Sequence, residues 1–272
     1  MAAKPFEVRR QTGFATMAGL CFVVLYLPIV LLVVYSFNQG DSIAIWEGFS
    51  WRWYVSAWHN EQVQAATIRS LIIAFWAALI ATTCAVLAAL ATTRQERFRG
   101  YTFVFAMINQ PLMVPEIVTA VALLIFFAMI KVQTGYTGLG YLILAHSAFC
   151  LPFAYMPIRA RLQGMDLNLE QAAMDLYGTP WRVFRRITLP QLWPGILAGA
   201  MLAFVISLDD VVITEFVKSA GQDTLPTYML GQMRRVVTPE VNAISTVLLA
   251  ISVVMVVAFY FLSRTKKQPT GG

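Results

Sequence analysis

The stretch SLIIAFWAALIATTCAVLAALATT, residues 70–93, is 24 residues long and contains no charged side chain. An α-helix rises about 1.5 Å per residue, so about 20 apolar residues cross the hydrocarbon core of a bilayer, which is roughly 30 Å thick. Backbone groups in lipid have no water to bond, so a single apolar run that crosses the membrane must satisfy its own hydrogen bonds as a helix. The stretch therefore predicts a membrane-spanning helix.

Five further charge-poor runs accompany this one. They cover residues 11–40, 100–130, 132–158, 191–214 and 241–263. Over the whole chain 58% of residues are hydrophobic and only 12% are charged, against about 25% charged in soluble domains. This composition excludes a soluble enzyme, a disordered chain and a fibrous repeat. It predicts an all-α polytopic membrane protein with six transmembrane helices, forming one domain over residues 1–272.

The 20 Lys and Arg residues divide unevenly between the two sides of this topology. Fourteen of them lie at the two termini, in the loop between the second and third spans, and in the loop between the fourth and fifth spans. Positive charge is retained on the cytoplasmic side of membrane proteins. The distribution predicts that both termini of this multi-pass membrane protein are cytoplasmic.

The loop between the fourth and fifth spans reads RARLQGMDLNLEQAAMDLYGTPWRVFRRITLP, residues 159–190. The pattern predicts a first short helix over residues 167–176, capped by Asp166 or Asn168 and ended by Gly178 in a left-handed conformation. Such an amphipathic segment indicates either a docking surface for another protein or a segment lying on lipid headgroups.

A second short helix is expected to follow in the same loop. Thr179 is predicted to cap it, and Pro180 fits its first position, where no backbone N–H is needed. Val183, Phe184 and Ile187 then share one face. Pro190 is expected to end this helix before the fifth span.

The same loop resembles the EAA loop of ABC importer permeases, whose pattern is E-A-A, three residues, G, nine residues, I, one residue, L-P. When Ile187, Leu189 and Pro190 are aligned on this pattern, Ala172 and Ala173 match it, its Gly falls on Tyr177 and its Glu falls on Gln171. The resemblance implies that the neighbours Gly178 and Glu170 supply the turn and the acid. Residues 159–190 would then be the coupling loop that binds an ATPase.

Other short segments are similar to the polyamine (spermidine/putrescine) branch of that family. They are Tyr35-Ser36-Phe37-Asn38, residues 111–116, residues 207–210, Thr224-Leu225-Pro226 and residues 238–243. The resemblance implies a type I importer fold in the bacterial inner membrane, with a core of about residues 66–263. It also implies a second homologous permease, two ATPase subunits that use ATP and Mg, and a periplasmic solute-binding protein. Membrane lipid is an expected partner and nucleic acid is not, and no cofactor is expected on this chain.

Three acids within the spans are candidates for the substrate pathway, because ionisable groups in a membrane are costly and usually face a pathway or a partner. Glu116 follows Pro111 and Pro115 and is expected near mid-bilayer, where it lines the path or pairs with another helix. Asp209 and Asp210 are adjacent, so their side chains point about 100° apart and one of them is expected to cap or pair. Two acids in an apolar span suit a cationic amine, although a span end at the aqueous interface would also tolerate them.

The segment after the first span is rich in aromatic residues, among them Trp46 and Tyr54. An interfacial belt is one interpretation. A cation–π surface for an amine, or a contact with the binding protein, is the other.

The leading hypothesis is therefore a permease subunit of an ABC importer for putrescine or spermidine. Permeases for opines, iron complexes or aminophosphonates remain alternatives, as do a secondary transporter and an intramembrane aspartyl protease. Adjacent aspartates argue against the protease, because its two carboxylates must converge from different segments. The sequence contains no G-x-x-x-x-G-K-[ST] loop, no metal-ligand spacing and no catalytic constellation, so ATP hydrolysis is expected in separate subunits.

Overall fold

A computed structural model describes residues 12–95, 98–234 and 238–263 of the chain. The helices are α1 Thr12–Tyr35, α2 Arg52–His59, α3 Glu61–Thr93, α4 Tyr101–Met113, α5 Glu116–Thr134, α6 Gly140–Gln163, α7 Leu167–Asp175, α8 Pro180–Val183, α9 Leu189–Asp209, α10 Val212–Val217, α11 Leu225–Met233 and α12 Pro239–Ser263. One π-helical turn, Phe184–Thr188, joins α8 to α9. The described residues contain no β-strand beyond an isolated bridge between Asn38 and Phe49.

Six helical segments among the described residues are long and apolar enough to cross a membrane. They are Gly13–Tyr35, Glu61–Thr93, Glu116–Thr134, Gly140–Gln163, Pro180–Asp209 and Pro239–Ala258. The prediction of an all-α protein with six spans is confirmed. The cytoplasmic placement of the termini stays a prediction, and the basic residues at both chain ends lie outside the described residues.

The third span differs from the continuous run expected over residues 100–130. The chain breaks between α4 and α5 at Val114, which is extended with φ −100° and ψ 138°. Pro115 causes the break, because a proline ring disfavours helical geometry in the residue before it. Pro111, by contrast, is accommodated within α4. Glu116 therefore begins a membrane helix instead of lying about fifteen residues inside one.

The core is formed where α3, α6 and α9 pack together, and alanines supply much of the contact surface of α3. Small side chains let helix backbones approach closely. At Gly199 of α9, a Cβ atom would lie 2.6 Å from the carbonyl oxygen of Ala154 in α6. The crossing of α6 and α9 therefore requires glycine at this position.

The chain divides into two compact units. The first runs up to Asn60 and includes Gln232–Ala250, and the second includes Glu61–Gly231. In the first unit, the Asn38 side chain donates to the carbonyl oxygens of Ser42 and Ile45 and accepts from Glu47 N–H, which folds the segment after α1. The expectation of a single domain over residues 1–272 stays a prediction.

Candidate functional site

The first helix of the loop at residues 159–190 forms as predicted, and its N-cap is Asp166, whose side chain accepts from the N–H of Asn168. Its C-terminal end differs from the prediction. The left-handed residue is Tyr177, with φ 62°, and not Gly178. The N–H of Gly178 donates to the Ala173 carbonyl at 3.0 Å and that of Tyr177 to the Met174 carbonyl at 2.9 Å. This pair of bonds is the Schellman motif, whose left-handed position is usually glycine.

Gly178 is required for a different reason from the one predicted. A Cβ atom on it would lie 2.5 Å from the carbonyl oxygen of Ala173, the same oxygen that accepts its N–H. The loop therefore needs glycine for close approach at 178 and tolerates a left-handed tyrosine at 177. Tyr177 is the position on which the alignment placed the glycine of the family pattern.

Glu170 lies inside the loop and is held by two partners. Its Oε2 atom lies 3.0 Å from Nε of Arg94, at the end of α3, and its Oε1 atom accepts from the hydroxyl of Thr188 at 2.9 Å. The Glu170 side chain is only 13% exposed. Its neighbour Gln171 is exposed, as is Ala172. The Glu170 carboxylate thus connects the loop to the end of α3. The exposed polar side chain at this point of the loop is that of Gln171.

The second half of the loop continues into the membrane helix without interruption. α8 begins with Pro180 at its first position after Thr179, as predicted, although the Thr179 side chain makes no capping hydrogen bond. The prediction that Pro190 ends this helix is wrong. Pro190 lies in the first turn of α9, directly after the π-helical turn, in which the Leu189 N–H donates to the Phe184 carbonyl.

The loop exposes a cluster of large apolar side chains, here called the loop face. Its members are Leu167, Leu169, Met174, Leu176, Tyr177 and Trp181. Leu176 is 82% exposed and Tyr177 94% exposed. Val183 and Thr188, by contrast, are buried, and Ile187 and Leu189 are half-buried. Several exposed apolar side chains on one short loop indicate an interaction surface.

The two adjacent aspartates at the end of α9 have different environments. Asp210 is extended and buried, and its carboxylate accepts from the N–H groups of Ile213 and Thr214 and from the Thr214 hydroxyl. His146 Nε2 lies 3.4 Å from the same carboxylate and 3.0 Å from the Thr214 hydroxyl oxygen. Because that hydroxyl donates to Asp210, it accepts from Nε2–H of His146, and in a neutral imidazole Nδ1 then accepts from the Ser207 hydroxyl.

Asp209 is the last residue of α9 and is exposed. No hydrogen bond or ion pair holds its carboxylate within the described residues. Glu116, half-buried at the start of α5, faces the carboxyl group of Asp210. The structure thus brings Glu116 and Asp210 together and leaves Asp209 exposed beside them. No group of His, Cys, Asp and Glu in the described part of the chain is arranged to hold a metal.

Trp46 and Tyr54 belong to the other compact unit. The Tyr54 hydroxyl lies 2.7 Å from the Ser36 hydroxyl, and its ring lies 5.0 Å from that of Phe37. Trp46 packs its edge against Tyr35 and remains 45% exposed. Trp46 is therefore more available to a ligand than Tyr54 is.

No local sequence pattern assigns Arg94, Thr188 or Thr214 to a particular acid. Each of them pairs with an acid once the chain folds.

Residues 81–267 match the family described as "Binding-protein-dependent transport system inner membrane component". The putrescine transport system permease protein PotI of Escherichia coli K12 is 39% identical over 251 residues, which cover 91% of this chain and 89% of that protein. The spermidine/putrescine transport system permease protein PotC of Haemophilus influenzae is 39% identical over 243 residues, covering 89% and 93%.

Solved structures share the fold at low identity. A chain of a bacterial ABC transporter that imports the acidic polysaccharide alginate superposes with TM-score 0.73 and 18% identity, covering 94% of this chain and 96% of that one. A chain of the MetNI methionine ABC transporter gives TM-score 0.62 and 17% identity, covering 77% and 100%. The predicted importer fold is confirmed.

Proposed function

The chain belongs to the family of binding-protein-dependent transport system inner membrane components, and on this premise we propose that it moves putrescine or spermidine through the membrane. It is a multi-pass inner-membrane permease subunit of an ABC importer and not an enzyme. The named relatives, which handle putrescine and spermidine, cover nearly the whole chain and support this choice of substrate.

The observation that carries the proposal is the acidic group formed by Glu116 and Asp210, together with the exposed Asp209 that precedes Asp210 in the chain. No basic side chain in the described part of the chain pairs with Glu116 or Asp209. Two facing carboxyl groups disfavour two negative charges, and the repulsion is relieved by a shared proton or by a nearby cation such as an ammonium. Asp209 is the proposed first contact, because its carboxylate is exposed and Asp210 already accepts from three donors.

The aromatic residues after α1 are a second proposed contact for the amine. A cation over an indole face gains about 0.5–2 kcal/mol, depending on how far it is desolvated. Trp46 offers the more accessible ring, while the hydroxyl and the ring of Tyr54 are both engaged within its own unit. We therefore rank Trp46 above Tyr54.

The loop face is proposed to dock on an ATPase subunit. Short amphipathic helices bind other proteins by laying apolar side chains in a groove, and Leu176 and Trp181 are suited to that role. Two ATPases, a second homologous permease and a periplasmic solute-binding protein would complete the importer. ATP binding would then favour one conformation of the spans, and the substrate would bind the two conformations with different affinity.

Uptake of radiolabelled putrescine and spermidine by cells that carry Asp209→Asn tests the substrate site. We expect the uptake KM to rise about ten- to a hundredfold, because a hydrogen bond to a charged group is worth roughly 1.5–3 kcal/mol. Asp41→Asn is the matched control: Asp41 is also exposed, and it pairs with Arg52 in the segment after α1. Unchanged KM values for both amines in Asp209→Asn would remove this residue from the pathway.

A further inference from the structure

A cleft of about 400 Å³ opens where α3 ends and α4 begins, against the last turn of α6. Its polar lining includes Thr93, Arg94, Tyr101, Arg159 and Gln163. All of these lie at the end of the spans that carries the coupling loop, and Leu167 of α7 closes the cleft on that side. Among the described residues, which omit 96 and 97 between α3 and α4, two guanidinium groups and no carboxylate line this cleft.

The charge of Arg159 is not balanced by any acid in the described part of the chain. Its guanidinium carbon lies 4.8 Å from the Phe105 ring centroid and 6.0 Å from that of Tyr155. One Nη atom makes a long hydrogen bond of 3.5 Å to the Tyr101 hydroxyl. The Nε atom is buried and has no partner within the described residues.

In the same cleft, the guanidinium charge of Arg94 is balanced by an acid. Its Nε and one Nη contact the carboxylate of Glu170 at 3.0–3.3 Å. Arg159 has aromatic neighbours in place of a carboxylate. A guanidinium that packs on aromatic rings keeps its positive charge and its N–H donors. These donors form a planar fork that matches the geometry of a phosphate.

We propose that the Arg159 cleft binds a phosphate group, supplied by the headgroup of an anionic phospholipid. The cleft lies where spanning helices end, which is the depth of headgroups. Basic pockets between transmembrane helices at that level bind anionic lipids. Its volume falls within the range of about 300–1,000 Å³ that is usual for small-ligand sites. Because Leu167 begins α7, an occupant would contact the coupling loop as well as α3 and α6.

The test uses the importer complex, purified in detergent with the subunits that accompany this chain and then stripped of lipid. Binding is measured by titration with phosphatidylglycerol, with phosphatidylcholine, and with inorganic phosphate. We expect phosphatidylglycerol to bind about tenfold more tightly than phosphatidylcholine, and Arg159→Gln to abolish that difference. Arg159→Lys, which keeps the charge and loses the fork, serves where Arg159→Gln does not fold, and it should weaken phosphatidylglycerol binding severalfold.

Arg99→Gln is the matched control, because Arg99 is exposed in the same loop region and does not line the cleft. Selective binding that survives in Arg99→Gln and is lost in Arg159→Gln supports the site. Competition by millimolar inorganic phosphate would support the site with free phosphate as the source. Equal affinity for the two lipids together with no phosphate binding, or an equal loss in both variants, would overturn the proposal.

Discussion

The corner after α9 and the loop at residues 159–190 each enclose an acid, buried in the first and half-buried in the second, yet the partners of the two acids differ. At the corner, Asp210 accepts from nearby backbone groups and from Thr214, with His146 as its partner from another helix. In the loop, Glu170 pairs with Arg94 from a different helix, 76 residues away in the chain. The first acid fixes a local break between two helices, whereas the second connects a loop to a membrane span.

Each of these acids also has an exposed polar neighbour. Asp209 precedes Asp210, and Gln171 follows Glu170. In both regions the enclosed carboxylate is occupied within the chain, and its neighbour is free to contact something else. We therefore propose that Asp210 stabilises the fold, that Glu170 links the loop to α3, and that Asp209 and Gln171 make contacts outside the chain.

Replacement of Asp210 should have the largest effect on stability. Asp210→Ala leaves the N–H groups of Ile213 and Thr214 and the Thr214 hydroxyl without their acceptor in a buried site. Each buried donor that loses its acceptor costs about 1–3 kcal/mol. We expect a much lower temperature at which the detergent-purified chain aggregates, measured by size-exclusion chromatography after heating. Asp209→Ala is the control and should change it little; similar losses in both variants would contradict the division between the two aspartates.

Replacement of Glu170 should have a smaller effect on stability and a clear effect on coupling. Glu170→Ala leaves Arg94 and the Thr188 hydroxyl unpaired, at about 1–3 kcal/mol. Because the loop is then no longer tied to α3, we expect substrate-stimulated ATPase activity of the reconstituted importer to fall about fivefold or more, with basal activity kept.

The reversed pair Arg94→Glu with Glu170→Arg distinguishes an internal link from a direct contact with the ATPase. An internal link predicts that the exchange restores part of the stimulated activity lost in Glu170→Ala. Gln171→Glu, which recreates the acid of the family pattern on the exposed neighbour, should leave the link intact. If the reversed pair is as inactive as Glu170→Ala, while Gln171→Ala is fully active, Glu170 itself would be the residue that meets the ATPase.

The sequence predicts the spans well and the contacts between them poorly, and the reason is physical. Charge-free length is a property of one segment, so six spans and the α7 helix with its Asp166 cap can be read directly. The break at Pro115 is harder to predict, because apolar stretches lie on both sides of it and because Pro111, four residues earlier, lies within a helix. The pairs of Glu170 with Arg94 and of Asp210 with His146 depend on how helices pack, which no local pattern encodes.

Tyr177 provides the smallest and most specific test of the loop. A left-handed conformation costs a residue with a Cβ atom about 1–2 kcal/mol, and glycine is free of that cost. Glycine also loses more backbone entropy on folding, so Tyr177→Gly should stabilise the chain by only about 0.5–1 kcal/mol. Gly178→Ala should act in the opposite direction, because its Cβ would meet the Ala173 carbonyl oxygen. Thermal unfolding of both variants in detergent measures whether each substitution raises or lowers the stability of the chain. A destabilised Tyr177→Gly would mean that this 94% exposed ring contributes more to the fold than its backbone conformation costs.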